Sequence, residues 1–163
     1  MDTTSYDKDV ILWSQEQAAL LRSGQFSQLD IEHLADEIED VGKSEKRDVA
    51  SRMAVLLAHR LRWQHQPERR GRSWEDNIEQ QRERISRRVN KTSGLKMTLR
   101  DVDWQEDVWA DATDQVEKET GLALATFGKK CPWTMEQVLA TDWMPGVWAK
   151  GLEQQDEALQ RRE

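Results

Sequence analysis

Glu45, Arg52 and His59 recur at seven-residue spacing, close to two helical turns, and Trp63 follows on the same stripe. An acid, an arginine and an imidazole in that register suit proton transfer with His59 as general base. The plainer reading is a hydrogen-bonded rim beside a core. A second group gathers in LLAHRLRWQHQPERRGRSW, residues 56–74, where Arg69, Arg70 and Arg72 stand beside Trp63 and Trp74. Such a set could hold a phosphate or stack on a base. Arginines of this kind also stack on tryptophan and bridge to acidic helices. His33, Asp36, Glu37 and Asp40 resemble one half of a helical carboxylate metal site, but a matching Glu-x-x-His is missing from the sequence. A solvated acidic face, with no metal, is the expectation. Cys131 precedes Pro132 with no histidine near it in sequence, and reads as a buried structural thiol. There is no phosphate-binding glycine loop, zinc spacing or nucleophile elbow, so no cofactor is expected.

These residues need helices to position them. Tyr6, Val10, Trp13, Gln17 and Leu20 predict a first helix over residues 7–22, with Gly24 as its stop. Ser27 or Asp30 caps a second, with Ile31, Leu34, Ala35, Ile38 and Val41 as its inward face. The periodicity crosses Gly42 with little change of phase, which favours a continuous or kinked helix reaching about residue 64. Gln66 precedes Pro67 and should end it. Ser73 reads as the N-cap of a helix to Lys91, with Trp74, Ile78, Gln81, Ile85 and Val89 inward. The short connection over residues 66–73 implies an antiparallel pair with Trp63 and Trp74 near the turn. A further helix spans residues 95–120, with a bend near Asp103 and Gly121 as C-cap. Thr134 caps a short helix through Ala140, and Pro145-Gly146 closes the domain.

Composition sets the bounds. With 163 residues and three prolines, the chain fits one all-α domain over residues 6–145, followed by a polar tail over 146–163. The expected architecture is an antiparallel helical bundle of four to five main helices plus a short C-terminal helix. The tail has only Trp148, Leu152 and Leu159 as apolar anchors, so its removal should change stability little. No apolar run approaches membrane-spanning length, and the N-terminus lacks an apolar signal core. A single cysteine excludes an internal disulfide, and a cytoplasmic location is expected. Charge is blocked. Residues 1–44 hold 10 acids and 3 bases, a net −7; residues 45–100 hold 7 and 15, a net +8; residues 101–163 hold 14 and 6, a net −8. Acidic helices packed beside a basic one explain this more simply than a nucleic-acid surface.

YDKDVILWSQEQAALLRSGQFSQLDIEHLADEIEDVGKSEKR, then LLAHRLRWQHQPERRGRSW, then ETGLALATFGKKCPWTMEQVL together resemble the bacterial domain-of-unknown-function family 29 over residues 6–145. The resemblance implies an all-helical protein and no assigned activity. At His65 that family usually has an aromatic such as tyrosine. Arg52-x6-His59 and Arg60-x4-His65 also resemble the loose Arg-x4–6-His pattern of helical HEPN-type ribonucleases. That likeness implies arginine and histidine acting on an RNA phosphate and ribose hydroxyl.

The favoured expectation is a non-catalytic helical interaction or accessory module. Its partner is expected to be a protein, a second copy included, with no membrane association. The alternative is a nucleic-acid-binding protein, or a ribonuclease using Arg52 and His59.

Overall fold

The computed structural model describes residues 4–141 and Trp143. The expected closing turn at Pro145-Gly146 and the tail over residues 146–163 lie outside the described residues. Every regular element among the described residues is helical. We number six α-helices: α1 (Val10–Arg22), α2 (Ile31–His65), α3 (Arg72–Lys91), α4 (Leu95–Thr98), α5 (Val102–Thr120) and α6 (Met135–Leu139). Short 3-10 turns lie at Phe26–Gln28, Pro67–Arg69 and Leu124–Thr126. The Cα arrangement divides into two compact units between Glu45 and Lys46, so residues 31–45 of α2 belong to the first and residues 46–65 to the second.

In the first unit, Asp9 caps α1 by accepting from the backbone N–H groups of Ile11 and Leu12 at 3.1 and 3.0 Å. It thereby satisfies two donors that the helix cannot. Gly24, at φ +73°, makes the left-handed turn that ends the segment. Trp13 and Gln17 are the buried residues of α1. The expected inward face of α2 is covered only in part: Leu34 is half-buried, while Ile31, Ile38 and Val41 are 69%, 71% and 68% exposed. Periodicity defines an apolar face but not what packs on it. α1 and residues 4–9 make their polar and ring contacts with Asp30, His33 and Glu37, beside that face.

The second unit holds the main core. α2 supplies Met53, Leu56, Leu57 and Leu61, α3 supplies Ile78, Ile85 and Val89, and α5 supplies Val108, Trp109, Ala112 and Val116. Each fully buried leucine or isoleucine contributes roughly 1.5–3 kcal/mol of transfer free energy. Asp48 meets Arg88 at 3.2 Å, and at the other end Arg62 lies 5.9 Å from the Trp74 ring centre. These contacts make α2 and α3 antiparallel, with Pro67 opening the turn between them.

Two helix starts differ from expectation. α3 begins at Arg72 with Gly71 as its extended N-cap, so Ser73 is already helical. The expected bend near Asp103 is a break: Asp101 accepts from the backbone N–H groups of Asp103 and Trp104 at 2.9 and 3.2 Å and starts α5 afresh. A short aspartate side chain competes for the amides that a continuous helix would need. Gly121 caps α5 at φ 74°, and Thr134 with Gln137 forms a complete capping box on α6.

Candidate functional site

His59 lies one turn before Trp63 on α2 and is half-buried. Its Nδ1 accepts from Arg62 Nη2 at 2.8 Å, and Arg62 in turn pairs with Glu119 of α5. Burial, then the Arg62 charge, pushes the imidazole below its usual range, against a weaker pull from Glu119. A neutral ring is the acceptor that this geometry requires. Arg52 instead donates to Asp48, its Nε 3.2 Å away, and Asp48 also takes Arg88. No hydrogen bond or ion pair joins Arg52 to His59 among the described residues. Glu45 is half-buried and closes the first unit.

The arginine–tryptophan group is partly assembled. Arg70 donates from Nε to the Trp63 carbonyl at 2.7 Å and lies 5.2 Å over the Trp63 ring. Arg62, not one of the turn arginines, lies over Trp74. Arg69 and Arg72 are exposed. His65 meets the edge of Phe127 at 5.3 Å, and burial lowers its pKa. Cys131 is half-buried, its Sγ 3.4 Å from the Trp133 carbonyl; burial raises its thiol, and backbone hydrogen bonding at Trp133 opposes the shift.

Two clusters were not foreseen. In the second unit Arg60 is completely buried. It donates from Nη2 to the Val138 carbonyl at 2.6 Å and from Nη1 to the Trp143 carbonyl, with its Cζ 4.8 Å over the Trp143 ring. Burial, then the neighbouring Arg82, pushes this guanidinium down to about 10. Arg82 donates to the carbonyls of Thr141 at 2.9 Å and Ala140 at 3.4 Å. The two arginines fasten the segment after α6 through its backbone. The available signal was Arg60 standing among the leucines and alanines of residues 56–61.

The other cluster is in the first unit. Asp30 Oδ2 accepts from Trp13 Nε1 at 3.0 Å and meets His33 Nδ1 at 2.7 Å, while the Asp30 backbone N–H donates to Gln17 Oε1 at 2.8 Å. The His33 ring stacks on Tyr6 at 4.2 Å, and the Tyr6 hydroxyl donates to Glu37. The Asp30 hydrogen bond raises His33, against desolvation, with help from Asp7 and Asp36. Desolvation raises Asp30 itself, but the hydrogen bonds from His33 and Trp13 outweigh it and leave that carboxyl low. The Glu37 hydrogen bond raises Tyr6 to about 12. Trp13, Gln17, Asp30, His33, Tyr6 and Glu37 are thus paired within the cluster, which fits a clasp between α1 and the start of α2 better than a proton-transfer site. Asp30 preceding His33 by three residues was a readable cap signal, whereas Tyr6 is too distant in sequence to be paired with either.

Beside the clasp, Val10, Ile11, Ala18 and Leu21 of α1 face Leu34 of α2 across a groove of about 420 Å³, with Trp13 and Gln17 at its floor. No group of three or more metal-ligating side chains converges among the described residues.

The model of the family described as domain of unknown function DUF29 matches residues 5–144. The chain belongs to that family. No curated protein and no solved structure matches it. Among the described residues no helix is long and apolar enough to cross a membrane.

Proposed function

We propose that this DUF29 protein is a non-catalytic helical module that recruits a protein partner through the first unit. The observation that carries the reading is the exposed apolar surface of the first unit: Ile31, Ile38 and Val41 on α2, and Val10, Ile11 and Leu21 on α1, the latter lining a groove with Leu34. Contiguous apolar surface on a soluble helical hairpin marks an interaction site more often than a catalytic one. The nucleic-acid alternative has less support. Arg60 and Arg82 hold backbone carbonyls, Arg62 holds His59 and Glu119, and Arg70 covers Trp63. Of Arg69, Arg70 and Arg72, Arg69 and Arg72 stand exposed with no ion pair or side-chain hydrogen bond among the described residues. With one thiol and no need of an oxidising compartment, the module is taken to act in the bacterial cytoplasm.

A photo-reactive residue placed at Ile38 in the source cells tests this. The expected result is a covalent adduct with another protein, lost when Val41 becomes aspartate. Absence of any adduct at Ile38, with adducts forming instead at Arg69 or Arg72 on RNA, would overturn the module reading.

A further inference from the structure

We infer that the groove of the first unit takes a cationic amphipathic helix supplied by another protein. The inference rests on the module reading above and adds the chemistry of the partner. Shape comes first. The groove lies between two helices, and its α1 wall runs from Val10 to Leu21, about three turns. A guest helix of similar length can lay apolar residues at i, i+3, i+4 and i+7 along such a wall.

Charge selects among guests. The first 45 residues hold 11 acids and 3 bases. Glu37 lines the groove itself, and Glu32, Asp36 and Glu39, at three- and four-residue spacing, form an exposed acidic row on α2 outside it. Of these, Glu39 meets Lys43 at 3.7 Å, while Glu32, Asp36 and the nearby Asp40 form no ion pair among the described residues. A second copy would bring two such acidic units together and be repelled, and so would a polyanion. The chain's own basic helix, α3, has already committed Ile78, Ile85 and Val89 to the core of its own unit. What remains is a helix with an apolar stripe bordered by lysine or arginine.

The test uses the full chain and three labelled synthetic peptides of about 14 residues. One is a leucine/lysine helix with the stripe, one a scramble of the same composition, and one a leucine/glutamate helix with the stripe. Fluorescence anisotropy should show the first bound at least about tenfold more tightly than either other, and weakened several-fold between about 50 and 300 mM salt. I11S/L21S, on the groove wall, and D36K/E39K change exposed residues, and circular dichroism should show both folded. Each should weaken the striped cationic peptide about tenfold.

Equal binding of the scramble would reduce the site to charge alone, and equal binding of the glutamate helix would reduce it to apolar contact; either overturns the inference. So does binding that neither double variant alters. Sedimentation showing a stable dimer that the peptide cannot open would assign the groove to a second copy. If the Ile38 adduct forms in cells while no peptide binds, the chemistry given to the partner is wrong and the module reading stands. If neither occurs, both fall.

Discussion

His33 and His59 sit in opposite electrostatic settings, and their responses to pH should have opposite sign. Asp30 at 2.7 Å raises His33, so its stabilising contribution is fully present below the ordinary histidine value near 6.5 and is lost as pH rises through its higher folded value. Tyr6 stacks on the ring, and Asp7 and Asp36 add to the same sign. His59 is lowered by burial and Arg62, so the unfolded chain takes up a proton there first. The stability associated with a neutral His59 is present above about 6.5 and falls as the pH drops below it. Two-dimensional NMR titration should find His33 titrating above 6.5 and His59 below it, and Asp30→Asn should bring His33 down. The reverse order would contradict both environments. Arg60 makes a sharper test of packing. Lysine keeps the charge but cannot fork to both the Val138 and Trp143 carbonyls. Arg60→Lys should therefore cost about 3 kcal/mol in urea unfolding, a loss on the scale of a buried charged hydrogen-bond set.

At the scale of elements, α2 is continuous through Gly42, an exposed helix-interior glycine with nothing within 4 Å of where a Cβ would stand. Gly42→Ala should raise stability by about 0.5–1 kcal/mol, read as a higher Tm. Gly121, at φ +74°, should respond with the opposite sign to the same change. The starts and stops that rest on local chemistry were legible: Gly24 after α1, Pro67 ending α2, Gly121 ending α5, and Thr134 capping α6. The break at Asp101 was blurred because apolar spacing continues across it, and one side chain bonding forward decides the outcome. The exposed Ile31, Ile38 and Val41 were readable as a face but not as an uncovered one, since a period carries no information about the opposing surface. His59 was legible as a half-buried rim residue, yet its actual partner, Arg62, lies one turn after it on the same helix rather than on the seven-residue stripe.

At the scale of the molecule, the blocked charge has a partial account. Within the second unit, basic α2 and α3 residues meet acids from their own and other helices, as in Arg62–Glu119, Arg88–Asp48 and Arg87–Glu83. The acids of the first unit are less fully matched, and this leaves the helical hairpin negative beside its groove. The Arg60 clasp carries a consequence for how the chain is made. Its acceptors follow it by 78 and 83 residues. A ribosome that has released α2 and α3 has therefore exposed a guanidinium and an apolar stripe whose covering segment is still unsynthesised. Closure of so distant a contact is slow relative to helix formation. The second unit thus completes itself only once the segment after α6 has been made, and until then its nascent leucines are the surface that a chaperone would meet.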